Sequence, residues 1–190
     1  MFKYSDLNYD EFYSSAHCKR ENKEIESTLS FFCNSGDSVL DLGAGTGLIS
    51  SMIGGHCKVT QVERDAGFKK QNPYSNFIVS DATEYVEKCS KRYDHVVSVF
   101  ALNYMRKGTL TKAVSIADKT CFFVVYDQPY KSGSGSYYRG KKFEFLRKCG
   151  LRKMSIDREI QDLVKCGYCV TVWNLCGEPY YKAILVNRKE

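Results

Sequence analysis

The sequence predicts an α/β fold: a doubly wound, mostly parallel sheet with antiparallel strands at its C-terminal end. Two patterns carry this. Short apolar runs alternate with helical periodicity from residue 38 to residue 150, and residues 151–190 show strands closed by a tight turn. A third observation sets the scale. The 190 residues, 43% hydrophobic and 26% charged, fit one domain with a core of ordinary size and exclude wholesale disorder.

Residues 1–36 read as two helices that could serve as a lid. Asn8 followed by Glu11 has the form of a capping box. Tyr9, Phe12, Tyr13 and Ala16 then share one helical face, and Ile25, Leu29, Phe32 and Cys33 repeat the spacing. Residues 37–150 form the ligand-binding core. Ser38 to Leu42 is a strand, and Leu48, Ile49, Met52 and Ile53 lie on a helix stopped by Gly54 and Gly55. Lys58 to Val62 and Phe77 to Val79 are strands separated by a short helix at 65–70. Thr83 to Lys91 is a helix capped by Asp81 or Thr83. His95 to Ala101 is a strand buried on both faces, Thr111 to Asp118 a helix, and Cys121 to Tyr126 a second buried strand. Residues 127–136 form a loop, and Tyr138 to Cys149 a basic helix. In the C-terminal part, Met154 to Ile160, Val170 to Leu175 and Ala183 to Val186 read as strands. The segment Cys176-Gly-Glu-Pro179 joins the last two as a hairpin.

Charge is concentrated. The chain carries 28 basic and 22 acidic residues, a net of +6. Eight of the basic residues and only one acidic residue lie between Lys131 and Lys153, so the remainder is close to neutral. This window is either a solvated helix face or an attraction site for an anionic partner such as RNA. The nine cysteines are scattered, and with no secretory signal at Met1 to Asp6 they are expected as reduced thiols in a cytoplasmic protein. Cys166, Cys169 and Cys176 cluster but lack the second ligand pair of a structural zinc site, so no metal is expected. The longest apolar run, Cys121 to Tyr126, is too short to span a membrane.

The strongest functional signal is Val39-Leu-Asp41-Leu-Gly43-Ala44-Gly45-Thr-Gly47, which leaves a strand and opens a helix. Glycines there allow positive φ and close approach of a ligand to the backbone. A dinucleotide fingerprint would place Gly or Ala at position 48, where this chain has Leu48. Asp41 stands just before the turn, and an anionic group there suits a cationic ligand rather than phosphates. Glu63 closes the second strand and can accept two hydrogen bonds from ribose hydroxyls. Asp81 closes the third, where it can accept from an exocyclic amine. Ser98 to Tyr104 follows on the fourth.

This set, from Val39 to Tyr126, resembles the class I S-adenosylmethionine-dependent methyltransferases. The resemblance implies their seven-stranded Rossmann-like sheet, with Val170 to Leu175 a candidate extra strand. It implies S-adenosyl-L-methionine as cofactor and S-adenosyl-L-homocysteine as product. Asp41, Gly43, Ala44 and Gly45 would contact the cofactor, with Gly47 serving the turn. Glu63 and Arg64 would lie at the ribose, Asp81 and Ala82 at the adenine, and Phe100 and Ala101 where the fourth strand passes it. Ser98 to Tyr104 is similar to the S-x-x-A-L-H-Y stretch of the small-molecule branch, with Asn103 in place of His.

Methyl transfer from a sulfonium needs no general acid, because alignment of the nucleophile can supply about 7–11 kcal/mol of the barrier. A conspicuous catalytic residue is therefore not required. Asp127, Asn103 and Tyr13 are the candidates. Asp127 could orient or deprotonate an acceptor, or cap a turn. Tyr9, Tyr13, Tyr104 and Asp127 are candidates for the acceptor side, and Tyr9 and Tyr13 read equally well as helix packing. The prolines of base-amino methyltransferases are absent after the fourth strand. The expected activity is transfer to an O or N atom of a small molecule. The alternatives are an RNA methyltransferase using residues 131–153, and a non-catalytic binding module of the same fold.

Overall fold

The computed structural model describes residues 16–126, 156–177 and 181–188. In chain order the elements are α1 (Ala16–Phe32), β1 (Ser38–Leu42), α2 (Leu48–Ile53), β2 (Lys58–Glu63), β3 (Phe77–Val79), α3 (Ala82–Lys88), β4 (Tyr93–Val99), α4 (Thr109–Ser115), β5 (Ala117–Tyr126), α5 (Ile156–Lys165), β6 (Tyr168–Asn174) and β7 (Tyr181–Arg188). Single turns of 3-10 helix lie at Ala66–Lys70, Leu102–Tyr104 and Leu175–Gly177.

Among the described residues one seven-stranded sheet forms, in the order β3-β2-β1-β4-β5-β7-β6. Strands β2 to β5 run parallel to β1, and β7 pairs antiparallel with both β5 and β6. The strand order reverses between β1 and β4, so the carboxyl ends of these two strands flank the crevice where a doubly wound sheet takes its ligand.

Residue alternation builds two apolar layers. Leu40, Leu42, Val96, Phe123, Val125 and Ile184 pack on the α3, α4 and α5 side. Val39, Val97, Phe122, Val124 and Ala183 pack on the other, against Ile25 and Leu29 of α1 and Ile49 and Ile53 of α2. The period of two in the strands and of about four in the helices is what sorts these residues between faces. Helix α1 is fixed to the far end of the chain by Glu24. Its Oε1 accepts from the Trp173 indole at 2.8 Å, and its Oε2 from the Cys176 N–H at 2.7 Å.

The amino ends of the central strands are tied by a charged network. Lys119 Nζ reaches Asp37 Oδ1 at 2.6 Å and Asp94 Oδ1 at 3.0 Å. The Asp37 Oδ2 accepts from the Asn34 N–H at 2.8 Å and lies 2.9 Å from Nε2 of the buried His95. Burial alone would raise the Asp37 carboxyl, but the bonds from Lys119, His95 and Asn34 hold it well below the usual carboxylate range. Asp94 is held at about 2, chiefly by the backbone and hydroxyl donors of Ser38.

Several elements differ from the sequence expectation, among them the helix expected to reach Asp118, which ends at Ser115, so that Ala117 and Asp118 begin β5. The segment expected as a strand from Met154 to Ile160 contains the start of helix α5, Ile156–Lys165. Leu163 of that helix is fully buried and Ile160 packs beside it, so the apolar spacing extends past the short window that mimicked alternation. β4 ends at Val99 rather than Ala101, because Phe100 turns the chain with φ 56°. α4 begins at Thr109, two residues early, since Gly108 supplies a left-handed cap at φ 85°. The first helix expected around Tyr9 to Ala16, the loop at 127–136 and the basic helix at 138–149 lie outside the described residues, apart from Ala16. Among the described residues no helix is long and apolar enough to cross a membrane.

Candidate functional site

The turn after β1 is held in place before any ligand arrives. The Gly43 and Ala44 N–H groups both donate to the Val62 carbonyl of β2, at 2.8 and 3.2 Å. Gly43 has φ +82°, and a Cβ there would stand 2.2 Å from the Cβ of Ala101. The segment after β4 therefore lies directly against the glycine turn. Gly47, at φ +92°, is crowded in the same way by Tyr74 and Asn72. Gly45 differs. It has φ +51°, and among the described residues a Cβ there would meet nothing within 4 Å.

Two carboxyls lie beneath this turn. Asp41 is 1% exposed, and among the described residues its Oδ2 has no hydrogen-bond partner. Burial, and secondarily the charge of Glu63, pushes its carboxyl up to about 8. Glu63, at the end of β2, accepts from the Gly45 N–H at 3.1 Å and from the Asp65 N–H at 2.9 Å. Burial raises it too, in spite of those donors. A buried and a half-buried acid that both resist ionisation mark a place that favours a positive charge from outside. Arg64 beside them is exposed.

Asp81 serves as the cap of α3: its Oδ1 accepts from the Thr83 N–H at 2.9 Å and the Glu84 N–H at 3.3 Å. Its other oxygen takes no hydrogen bond among the described residues. Ala82 begins the helix and is buried. The cap role and a ligand role are compatible, because each uses a different oxygen.

Asn103 is 1% exposed, and both ends of its amide are engaged. Its Nδ2 donates to the Tyr126 carbonyl at 3.1 Å, and its Oδ1 accepts from the Tyr126 N–H at 2.9 Å. It holds the end of β5 to the turn after β4. Tyr104 lies in the same turn, half-buried. Tyr9, Tyr13 and Asp127 lie outside the described residues. The turn after β1 and the ends of β2 and β4 are thus drawn together around Asp41, Glu63 and Ala101.

Sequence reasoning missed several supports. Asn72 Nδ2 bridges the Gly45 carbonyl at 3.2 Å and Gln61 Oε1 at 2.6 Å, tying the glycine turn to β2. Ser98 Oγ donates to the Leu42 carbonyl at 2.7 Å, locking β4 to the end of β1. Phe100, Tyr126 and Tyr181 form an aromatic group at the carboxyl ends of β4 and β5 and the start of β7. Only the motif Ser98 to Tyr104 hinted at any of these. The cysteines at 166 and 169 are exposed and Cys176 is half-buried. Among the described residues no group of three potential metal ligands is present.

No protein-family model and no curated sequence matches the chain. Solved structures do. The magnesium protoporphyrin IX methyltransferase ChlM from Synechocystis PCC 6803, with bound SAM, aligns at TM-score 0.67 and 13% identity. That alignment covers 96% of this chain and 85% of the other. The plantazolicin methyltransferase BpumL in complex with SAH gives 0.70 and 14%, covering 97% and 89%. A SAM-dependent methyltransferase from Archaeoglobus fulgidus gives 0.69 and 13%, covering 98% and 100%. Across nearly its whole length the chain has the fold of the class I S-adenosylmethionine-dependent methyltransferases.

Proposed function

We propose that this chain is an S-adenosylmethionine-dependent methyltransferase that acts on an O or N atom of a small molecule. The observation that carries this reading is Asp41. A buried carboxyl, one oxygen of which has no partner among the described residues, lies by a glycine turn whose middle residue has no described neighbour on its outer side. Such a group is costly to keep unless a ligand with positive charge completes it.

The residues present fit the cofactor. Asp41 would face its cationic methionine portion, with Gly43, Ala44 and Gly45 giving backbone access and Gly47 setting the turn. Glu63 would accept from the ribose hydroxyls with lone pairs left over from its two backbone donors, and Arg64 would border that position. Asp81, through its second oxygen, and Ala82 would meet the adenine. Phe100 would flank the group from the β4 side. When bound, S-adenosylmethionine supplies a methyl group on a cationic sulfur that is already activated for displacement. The chain's task is then to hold the acceptor, exclude water and receive the acceptor's proton. Tyr104 lies at that side, and Tyr9, Tyr13 and Asp127 are assigned to it from sequence, with Asp127 the proton acceptor. Residues 1–36 would supply the lid, 37–150 the cofactor core and 151–190 the closing edge of the sheet.

Two of the structural neighbours are a magnesium protoporphyrin IX methyltransferase and a plantazolicin methyltransferase, which supports a small-molecule acceptor here. The test is to incubate the protein with methyl-labelled cofactor and cell extract separated into metabolite, RNA and protein pools. Label in the metabolite pool is expected. Label in RNA would move the activity to the basic segment at 131–153. Binding of the cofactor with no transfer to any pool would make the chain a binding module.

A further inference from the structure

We propose that Gln61 is a positioning residue of the cofactor site, its side-chain N–H group donating to Asp41 Oδ2 when the Asp41 carboxyl is charged. This rests on the methyltransferase reading above and adds a residue that acts through Asp41 rather than on the ligand.

The strand pairing brings the two side chains together. Asp41 of β1 and Gln61 of β2 are directly registered in the parallel pairing. Registered strands lie about 4.8 Å apart, and registered side chains leave the sheet on the same face. Alternation sets that face. Val39 and Val59, two residues before each, pack on the α1 and α2 side. Gln61 is 0% exposed and Asp41 1%. Among the described residues neither Gln61 Nε2 nor Asp41 Oδ2 has a hydrogen-bond partner. One is a donor, and the other, once ionised, is an acceptor.

The orientation of the Gln61 amide follows from its neighbours. Asn72 Oδ1 accepts from the Tyr74 N–H at 3.0 Å, so the other end of the Asn72 amide is its donor. That donor reaches the Gly45 carbonyl and Gln61 Oε1. The Gln61 oxygen is thereby held toward Asn72, and its N–H group is the end left over. Burying such a group without a partner is costly, so its place here points to a bond made in another state of the site.

That state is the ionised one. Glu63, two residues further along β2, is the acid whose charge acts on Asp41, and burial, with that charge, pushes the Asp41 carboxyl up to about 8. The β4 residue registered with Asp41 is Val97, and α2 carries no titratable side chain. On α1 the buried Glu21 lies one turn before Ile25 on the same face. A protonated Oδ2 meets the Gln61 amide donor to donor. When the proton leaves to solvent, Oδ2 becomes an acceptor and the amide N–H bonds to it. A cation at the site draws Asp41 into that charged form, and Gln61 lowers the cost of reaching it.

The test first uses the full-length protein without ligand. Carbon NMR of protein labelled at the aspartate carboxyls, titrated from pH 5 to pH 10, follows Asp41, whose resonance is the one lost in Asp41→Asn. Gln61→Met removes the N–H group at nearly the same volume, and is expected to raise the Asp41 midpoint by about one pH unit. Gln61→Leu is the second variant should Gln61→Met fail to fold. Calorimetric titration with S-adenosylmethionine then gives the second readout. The variant is expected to bind about tenfold more weakly at pH 7, narrowing to about twofold at pH 9, where the parent and half of the variant are ionised. The cofactor's own amine titrates alike in both proteins and drops out of the ratio. An unmoved midpoint, or an affinity lowered by the same factor at both pH values, marks Gln61 as merely structural and overturns the proposal. A moved midpoint in a protein whose parent takes no S-adenosylmethionine fells the cofactor reading and the positioning role with it. Binding by the parent with an unmoved midpoint overturns the role of Gln61 alone.

Discussion

Replacing Asp41 by Asn should make the ligand-free protein more stable and the site less able to bind. The side chain keeps its size and loses its charge. A free aspartate titrates at 3.8, and burial with Glu63 nearby pushes Asp41 up to about 8. Because the folded value is raised, Asp41 favours the fold fully below about pH 4, and this contribution is lost as pH rises toward 8. At ~1.36 kcal/mol per unit, the ionised unfolded chain gains about 4 kcal/mol on the protonated fold at pH 7. Relaxation of the site brings the working figure to about 2–4 kcal/mol. For a chain of this length that corresponds to a Tm higher by about 5–15 °C in Asp41→Asn at pH 7. The gain should shrink to nothing near pH 4. Thermal unfolding of both proteins by circular dichroism from pH 4 to pH 8.5, without ligand, measures it. An Asn variant less stable than the parent at pH 7, or a difference that ignores pH, would refute the reasoning about this carboxyl.

The remaining predictions concern the same turn and the opposite end of the sheet. Gly43→Ala drives a Cβ into Ala101 and should cost ~2 kcal/mol or more in urea unfolding. Gly45→Ala has room and should cost only ~1 kcal/mol for its positive φ, yet weaken cofactor binding tenfold or more; an affinity loss no larger than its stability loss would count against Gly45 facing the ligand. Glu63→Gln removes a carboxylate that accepts from Gly45 and Asp65, and should lower cofactor affinity by about 10–100-fold at pH 7.5, read by calorimetry. Asp37→Asn should cost ~3 kcal/mol at neutral pH by leaving the Lys119 and His95 contacts broken. Asp37 and Asp94 are both lowered in the fold, so their stabilisation is present above about pH 4 and lost as pH falls through 2. The Asp37→Asn penalty should fade over that range in acid unfolding curves.

The parallel core was legible because its signals are local. Val39 to Gly47 holds strand, acid and glycines in one run, and the strands at Lys58, Phe77 and Cys121 each show as short apolar segments between turn residues. Glu63 and Asp81 could be named because each ends such a segment. What the sequence hid depends on distant partners. The pairing of Asn103 with Tyr126, and of Lys119 with Asp37 across 82 positions, has no local pattern. The aromatic group at residues 100, 126 and 181 is united by the antiparallel placement of β7. Helix α5 was misread because Met154, Ile156 and Ile160 imitate alternation until Leu163 is included. Phe100 turned the chain earlier than its apolar neighbours suggested, since left-handed backbone at a phenylalanine is set by surrounding packing rather than by propensity.

Calorimetric titration of S-adenosylmethionine into the full-length protein at pH 7.5, beside the same titration of the double variant Asp41→Ala, Glu63→Ala and of NAD with the parent, tests the central claim most directly. The account predicts saturable binding at one site per chain for the parent, none for the double variant and none for NAD. Equal binding to the parent and the double variant, or a parent that takes NAD and ignores S-adenosylmethionine, would contradict it.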